Sequence, residues 1–292
     1  MFRVRVPATT ANLGPGFDAL GMALRLYNEI QVEEIKGDLE IRGCEGIPLE
    51  ENLIYQGMKR VYQQLDAPIR DCRITLTASN IPMSRGLGSS AACIAAGIGI
   101  ANRLTGKALC VDDMIRIGTE IEGHPDNIVP AVVGGLTVSV HQGQVTYSKV
   151  KIPENLTFAV LIPEFVLSTS EARRVLPVQY SKADCVFNLS RAAMLISALH
   201  NGELEKLRIA TEDRIHQPYR GKLIPQMEDI FQQARKLGSL AEVISGSGST
   251  LLIMIDKDNT DFKTGMDSFL ETINGGWRVS VLEADQDGMQ VV

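Results

Sequence analysis

The chain has 292 residues, which is long enough for two compact lobes. Its composition, with 45% hydrophobic and 22% charged residues, is typical of a globular protein. Its 29 basic and 35 acidic residues give a formal net charge of −6, and without a basic run this argues against nucleic acid or an anionic membrane as a partner. No apolar run reaches transmembrane length, and the five scattered cysteines lack metal or redox spacing, so we expect a cytoplasmic protein with reduced thiols.

The first half of the chain predicts short strands and helices separated by polar loops. Alternating side chains over residues 2–6 predict a strand that ends at Pro7. The segment from Pro7 to Asp18 is small and polar, and we expect it to be a functional loop outside the core. Strands are predicted over residues 24–32, 39–42 and 73–77, a hairpin over 134–150, and helices over 52–65, 91–101 and 111–123.

The second half begins near Pro153, where we place the boundary between two lobes. A buried strand is predicted over residues 158–162, and a short helix opens at 168–171 and ends near Pro177. Further along the chain we predict a long helix over 185–200, a polar cluster over 213–220, an amphipathic segment over 225–237, and a strand, glycine turn and strand over 243–255. Strands and helices that do not alternate strictly favour an α+β fold.

The stretch from Pro82 to Ala92 has the composition of an anion site. Gly86 and Gly88 permit backbone conformations with positive φ, and the apolar helix predicted to follow would begin where the glycines stop. The free N–H groups at a helix N-terminus attract anions, and phosphate is the usual one. The alternative is a plain loop that leads into a core helix.

Three phosphate-binding patterns compete for this stretch. A Walker loop is excluded because the chain contains no Gly-Lys-Ser or Gly-Lys-Thr tripeptide. The dinucleotide pattern G-x-G-x-x-G/A is met by residues 86–91 and 14–19, but neither match directly follows its strand. The third pattern, Pro-x-x-x-Gly-Leu-Gly-Ser-Ser followed by two small residues, belongs to the GHMP small-molecule kinases, and residues 82–92 match it without a gap.

Segments spread over essentially the whole chain resemble the homoserine branch of this superfamily, which is named for galactose, homoserine, mevalonate and phosphomevalonate kinases. They are residues 7–18, 82–92, 122–127, 168–173 and 245–250. The resemblance implies an N-terminal lobe over 1–152 like the second domain of ribosomal protein S5, a C-terminal ferredoxin-like lobe over 153–292, and an active site between them. It also implies transfer of the γ-phosphoryl group of ATP to the side-chain hydroxyl of L-homoserine, which gives O-phospho-L-homoserine, the precursor of threonine.

The resemblance further implies sites for ATP and Mg²⁺. The ATP-binding residues would be Pro82, Met83, Ser84, Arg85, Gly86, Leu87, Gly88, Ser89, Ser90, Ala91 and Ala92, together with Gly246, Ser247 and Gly248. Ser90 and Glu122 would bind Mg²⁺, and Glu120 is a rival for the carboxylate. Ser249 stands where the family usually carries proline, and we expect this to loosen the turn without abolishing the phosphate contact.

Homoserine is a zwitterion, so its recognition needs groups of both charges. In the family positions, Asp18 and Asn12 would bind the ammonium group, and Arg173 and Arg220 would bind the carboxylate. His124 is a further substrate-binding candidate, with a hydrogen-bonded turn histidine as the alternative.

The resemblance also suggests how the reaction is catalysed. Asn127, which would also contact substrate, stands where some sister kinases carry a catalytic aspartate, and an amide cannot accept a proton as a general base. Catalysis would therefore depend on positioning and charge stabilisation by Asn127, Thr169 and Arg173, with the proton passing to phosphate.

Two other functions compete with this interpretation. One is a GHMP kinase for a different small alcohol, against which the charged set Asp18, Arg173 and Arg220 argues, because mevalonate and sugars carry no ammonium group. The other is a non-catalytic nucleotide-binding regulator on the same fold, against which the intact Glu122, Ser90 and Thr169 argue. A homodimer is expected from its frequency in such families.

Overall fold

Two β-sheets organise the computed structural model, which describes residues 1–44 and 46–292. The strands are β1 (Phe2–Ala11), β2 (Leu20–Glu34), β3 (Glu40–Arg42), β4 (Cys72–Ser79), β5 (Leu136–Gln142), β6 (Gln144–Val150), β7 (Leu156–Ile162), β8 (Ala241–Ile244), β9 (Leu251–Asp256), β10 (Arg278–Leu282) and β11 (Gln290–Val291). The helices are α1 (Leu53–Gln64), α2 (Ser89–Leu104), α3 (Val111–Glu122), α4 (Pro125–Val133), α5 (Thr169–Arg174), α6 (Lys182–Asn201), α7 (Leu207–Ala210), α8 (Gln217–Arg220), α9 (Met227–Lys236) and α10 (Phe262–Leu270).

The larger sheet has seven strands and includes both ends of the chain. Its main path runs β11-β1-β2-β4-β3, while β5 pairs with β2 and β6 pairs with β5. The smaller sheet has four strands in the order β10-β7-β9-β8. This mixture of helices and largely antiparallel sheets agrees with the predicted α+β class. The smaller sheet is formed entirely by residues after Pro153, whereas β11 returns to the larger sheet, and the lobe boundary at Pro153 stays a prediction.

The expectation that β1 ends at Pro7 is wrong. The strand continues to Ala11. Pro7 pairs with Tyr27 but the next residue, Ala8, pairs with Leu24, so a β-bulge lies at Pro7. A bulge tolerates the missing N–H group of proline. Ala8 and the two threonines that follow are fully buried. The segment predicted to lie outside the core therefore begins as an interior strand.

Close packing of small residues fixes α2, the helix that begins within the predicted phosphate-binding stretch of residues 82–92, here named the phosphate loop. A Cβ atom on Gly97 of α2 would lie 2.0 Å from the carbonyl oxygen of Ile54, and one on Gly57 of α1 would lie 2.5 Å from that of Ile94. Neither position accepts a larger side chain, because protein interiors leave no room for such overlap. The glycines let the two helix backbones meet directly, which fixes the N-terminus of α2 relative to the sheet.

Helix α4 was not predicted from the sequence. Pro125 and Pro130 indicate a break, yet Pro125 occupies the first turn of the helix, where its missing N–H has no intrahelical partner to lose. Gly123, with φ of 90°, ends α3 in the left-handed conformation, and His124 is the N-cap of α4. The sharp α3–α4 junction places residues 122–127 together at one edge of the fold.

The C-terminal segment was also missed in part, because α10, β10 and β11 were not predicted. Its last residues are fixed against the N-terminal sheet, where Tyr27 Oη donates to Asp285 Oδ2 at 2.7 Å and β11 pairs with β1. Within residues 1–44 and 46–292, we find no helix with the length and apolarity needed to cross a membrane.

Candidate functional site

A cleft of about 490 Å³ brings most of the sequence-predicted site residues together. The predicted residues that line it are Asn12, Asp18, Met83, Ser84, Arg85, Gly86, Gly88, Ser89, Ser90, Glu122, His124, Asn127, Thr169, Arg173, Arg220, Gly246 and Ser247. Those that are not among its lining residues are Pro82, Leu87, Ala91, Ala92 and Gly248. Leu87, Ala91 and Ala92 direct their side chains into the core, so any contact they make with a ligand must come from the backbone.

The phosphate loop presents a row of unpaired backbone donors. Gly86 and Gly88 have φ of 75° and 65°, and Gly88 is the N-cap of α2 without a side-chain capping bond. In the part of the chain that the structure describes, the N–H groups from Gly86 to Ala91 make no hydrogen bond. Buried or crowded N–H groups are normally paired, so this row, at the positive end of a helix dipole, has the geometry of an anion site.

Both glycines of this loop are required by close contacts as well as by their φ angles. A Cβ on Gly86 would lie 2.2 Å from the carbonyl oxygen of Ser245, and a Cβ on Gly88 would lie 1.8 Å from Thr9 Oγ1. The loop is therefore pressed between β1 and the glycine turn of residues 245–250.

That glycine turn joins the phosphate loop to the segment after β1. Ser245 Oγ lies 2.6 Å from the carbonyl oxygen of Gly86 and 2.8 Å from Thr10 Oγ1, and the N–H of Gly246 donates to Ala11 at 3.1 Å. Ser249 Oγ donates to the carbonyl oxygen of Phe165 at 3.0 Å, so serine replaces the usual proline with a hydrogen bond that proline cannot make.

Glu122 and Ser90 form the acidic part of the cleft. Ser90 Oγ donates to Glu122 Oε2 at 2.5 Å. Burial raises the pKa of the Glu122 carboxyl, although the Ser90 hydrogen bond and His124 oppose the shift. Glu120 instead pairs with Arg60 at 2.5 Å and with Arg116 at 2.6 Å, and it does not line the cleft. The geometry therefore favours Glu122 over Glu120 as the carboxylate available to a ligand.

A chain of side-chain contacts orients Asn127. Thr9 Oγ1 donates to Asn127 Oδ1 at 2.8 Å, and Asn127 Nδ2 donates to Asp126 Oδ1 at 3.3 Å. The same Asp126 oxygen lies 2.7 Å from His124 Nδ1. Burial lowers the pKa of His124, but the hydrogen bond and charge of Asp126 and the charge of Glu122 outweigh it, so the net shift is upward. The amide of Asn127 is therefore held in one orientation beside Gly88.

An ion pair occupies the other end of the cleft. Arg173 Nη1 and Nη2 donate to the two carboxylate oxygens of Asp18 at 3.0 and 2.7 Å, which raises the pKa of Arg173. Asn12 positions this carboxylate, because its Oδ1 accepts from the N–H of Asp18 at 3.0 Å and its Nδ2 donates to Gly246 at 2.8 Å. Both polar groups of the Asn12 side chain thus hold the Asp18 loop.

Arg220 and Thr169 complete this end of the cleft. Arg220 is only 1% exposed, and burial together with the nearby charge of Arg173 lowers its pKa to about 10, so it stays protonated at neutral pH. Thr169, exposed at the start of α5, places its Oγ1 3.4 Å from Ser247 Oγ. Ser168 holds that helix start through a capping box with Glu171.

Four residues at the site were not singled out by the sequence analysis. Thr9 and Asp126 orient Asn127, Phe17 lies against both Arg173 and Arg220, and His216 contacts Arg220. Thr9, Phe17 and Asp126 lie inside the segments quoted above, and His216 lies in the polar cluster over 213–220, so position alone could have suggested them. Their partners were not predictable, because Thr9 contacts Asn127 and His216 contacts Gly14 across distant parts of the chain.

Comparison with known proteins agrees with this geometry. Residues 52–135 match the GHMP kinases N terminal domain, and residues 195–263 match the GHMP kinases C terminal domain. The chain is 50% identical over 297 residues to the homoserine kinase of Clostridium novyi (strain NT), with 100% of this chain and 99% of that protein covered.

Solved structures show the same fold. A crystal structure of homoserine kinase from Cytophaga hutchinsonii ATCC 33406 superposes with a TM-score of 0.89 at 28% identity, covering 100% of this chain and 97% of that one. A mevalonate kinase structure superposes with a TM-score of 0.73 at 18% identity, covering 98% of this chain and 99% of that one. At that identity the second likeness supports the fold alone.

The row of free N–H groups leads to a test with Gly88→Ala. The new Cβ would meet Thr9 and strain a residue with φ of 65°, so we expect affinity for inorganic triphosphate to fall at least about tenfold. Gly143→Ala is the matched control, because Gly143 has φ of 79° but a Cβ there meets nothing within 4 Å. Isothermal titration measures both variants. Equal affinity in Gly88→Ala and the parent protein would contradict the assignment of the loop.

Proposed function

This chain belongs to the homoserine kinases of the GHMP kinase superfamily, and from that premise we propose how its cleft carries out their reaction. ATP phosphorylates the side-chain hydroxyl of L-homoserine to give O-phospho-L-homoserine. In our proposal the phosphate loop binds the triphosphate, the Asp18–Arg173 end of the cleft binds the amino acid, and Asn127 lies between them. The observation that carries the proposal is that a row of free backbone donors and a pair of opposite charges line one cavity.

The triphosphate would be bound mainly by backbone groups. The N–H groups from Gly86 to Ala91 have no hydrogen-bond partner among residues 1–44 and 46–292, and the helix dipole of α2 favours negative charge at this end. Donors fixed by packing need no reorganisation as charge shifts during phosphoryl transfer, and such preorganised groups are the main source of electrostatic catalysis.

The amino acid would open the Asp18–Arg173 ion pair. Asp18 and Arg173 are 35% and 37% exposed, and ion pairs of such exposure contribute only about 0–1 kcal/mol, so exchange costs little. The homoserine ammonium group would replace the guanidinium at Asp18, and its carboxylate would replace Asp18 at Arg173. Arg220 adds a second positive charge for the carboxylate. A zwitterion satisfies all these charges, whereas a neutral sugar satisfies none of them.

Mg²⁺ fits the oxygen donors at the start of α2. Mg²⁺ binds in kinase sites through one or two protein oxygens plus substrate phosphates, and Ser90 Oγ and Glu122 Oε2 lie 2.5 Å apart beside the phosphate loop. In the described chain, no group of three or more His, Cys, Asp or Glu side chains could hold a metal alone, which agrees with an ion shared with ATP. When bound there, the ion would neutralise negative charge on the phosphates.

The transfer itself would proceed by positioning. The substrate hydroxyl oxygen forms a bond to the γ-phosphorus as the bond from that phosphorus to the bridging oxygen of ADP breaks, and the hydroxyl proton passes to a phosphate oxygen. Asn127 cannot accept that proton. Its amide, fixed by Thr9 and Asp126, would instead orient the hydroxyl, with His124 beside it and Thr169 near the transferred group. A homodimer and the absence of nucleic-acid binding remain predictions.

Substrate identity is tested by ADP release from ATP and Mg²⁺. We expect L-homoserine to stimulate ADP release well above the background rate, whereas mevalonate and galactose leave it unchanged, because neither offers an ammonium group to Asp18. A coupled assay with equal concentrations of the three alcohols makes the comparison. Equal stimulation by mevalonate would contradict the proposed pocket.

The ammonium contact is tested by Asp18→Asn, which keeps the shape and removes the charge. Loss of a charged hydrogen bond costs about 1–3 kcal/mol, so kcat/KM for homoserine should fall about tenfold to a hundredfold. Arg173→Lys should also lower kcat/KM for homoserine, because the ammonium group of lysine lacks the planar fork of a guanidinium. ATP affinity without homoserine should hardly change. Asp184→Asn, which breaks an ion pair with Arg214 outside the cleft, is the control. If Asp18→Asn weakens ATP binding as much as homoserine use, the substrate role is wrong.

The metal site is tested by comparing Glu122→Gln with Glu120→Gln. We expect Glu122→Gln to lower turnover strongly and to raise the Mg²⁺ concentration needed for half activity. Its melting temperature without ligands should not fall, because burial already disfavours the ionised form of Glu122. Glu120→Gln should keep near-parent turnover. Activity loss confined to Glu120→Gln would move the ligand to that residue.

A further inference from the structure

His216 is a buried side chain that the proposed reaction does not use. It has no exposed surface, and it begins the short segment that carries Arg220. Its Nε2 lies 2.8 Å from the carbonyl oxygen of Gly14, and its Nδ1 lies 3.4 Å from Arg220 Nη1. One imidazole therefore bridges the loop after β1 and the buried arginine of the cleft.

The two partners of His216 define its protonation. A carbonyl oxygen only accepts hydrogen bonds, so Nε2 must carry the hydrogen that points at Gly14. A guanidinium only donates, so Nδ1 must be the unprotonated acceptor for Arg220. The ring is then neutral. Burial lowers the pKa of His216 and so also favours the neutral ring, although Asp213, whose Oδ2 lies 3.7 Å from Nε2, opposes that shift.

These contacts leave one nitrogen of Arg220 for a ligand. Nε donates to the carbonyl oxygen of Ala172 at 3.1 Å, and Nη1 donates to that of Gly246 at 3.0 Å as well as facing His216. Nη2 has no hydrogen-bond partner among the described residues, and Arg220 lines the cleft. Because a guanidinium is planar, fixing Nε and Nη1 also fixes the direction of Nη2.

Phe17 and Asp213 hold the histidine in this arrangement. The Phe17 ring lies 5.4 Å from the His216 ring and 5.1 Å from the Arg220 guanidinium carbon. Asp213 Oδ2 accepts the backbone N–H groups of His216 and Gln217 at 2.9 and 2.6 Å. The backbone of His216 is thus anchored by Asp213 independently of the ring, so a change to the ring alters its contact with Arg220 without releasing the backbone.

We propose that His216 is a positioning residue of the substrate-carboxylate pocket: by accepting a hydrogen bond from Arg220 Nη1 it aims Nη2 at the carboxylate of the amino acid. This inference rests on the proposed function, and it adds a residue that does not itself touch substrate. It predicts that changing the Nδ1 acceptor affects recognition of the carboxylate and leaves the phosphate side of the cleft unaffected.

Two substitutions separate the contacts of the ring. His216→Asn can place an amide oxygen near the Nδ1 position and so keep an acceptor for Arg220. His216→Gln can place an amide N–H near the Nε2 position and so keep the bond to Gly14 but lose that acceptor. We expect His216→Gln to raise KM for L-homoserine about tenfold, with kcat and KM for ATP nearly unchanged, and His216→Asn to stay closer to the parent enzyme.

A second substrate distinguishes positioning from a general structural effect. L-homoserine carboxamide keeps the hydroxyl and ammonium groups but lacks the carboxylate, so its kcat/KM should be equally low in the parent enzyme and in His216→Gln. A drop of the same factor on both substrates, or a smaller defect in His216→Gln than in His216→Asn, would overturn the inference. If the parent enzyme itself fails to prefer homoserine over the carboxamide, the proposed carboxylate pocket fails instead.

The parent protein provides a test that needs no variant. Nitrogen-15 NMR of the full chain labelled in histidine should show the His216 ring, identified through its protection from solvent, as the neutral form with the hydrogen on Nε2 at neutral pH. A hydrogen on Nδ1 would overturn the inference, because a protonated Nδ1 cannot accept from Arg220.

Discussion

The site depends on the junction at which the phosphate loop, the end of β1 and the glycine turn of residues 245–250 meet. Ser245 contacts the carbonyl oxygen of Gly86 and the hydroxyl of Thr10 at 2.6 and 2.8 Å, and Gly246 accepts from Asn12 and Arg220 at 2.8 and 3.0 Å. The backbones also approach closely, since a Cβ on Gly86 would lie 2.2 Å from the carbonyl oxygen of Ser245. The junction therefore fixes the anion site and the amino-acid pocket relative to each other, which phosphoryl transfer requires because its rate depends on alignment of the reacting groups.

On either side of this junction the cleft offers different kinds of group. The phosphate side offers backbone N–H groups and a helix dipole, which cannot be lost by titration. The other side offers side-chain charges that pair with each other at Asp18 and Arg173, and in our proposal a zwitterion replaces that pairing. One fold can carry different functions when the groups at its site differ, and in our proposal the exchangeable charges are the part of the cleft that selects the amino acid.

Local patterns predicted the elements whose cause is local, and missed those whose cause is tertiary. The small residues after Gly88 predicted α2, and Ser168 with Glu171 predicted the start of α5, because helix caps act within a few residues. Pro7 gave a misleading strand end because it lies at a bulge, and α4, which has Pro125 in its first turn, was not predicted. The Asp18–Arg173 pair joins positions 155 residues apart, so each side chain could be assigned to the site but their contact could not.

The most direct test of this account is a crystal structure of the protein with L-homoserine, Mg²⁺ and a non-hydrolysable ATP analogue. The account predicts phosphate oxygens at the N–H groups from Gly86 to Ala91, the ammonium group on Asp18, and the carboxylate on Arg173 and Arg220 Nη2, with the Asp18–Arg173 pair opened. An intact Asp18–Arg173 pair with the amino acid bound elsewhere would contradict it.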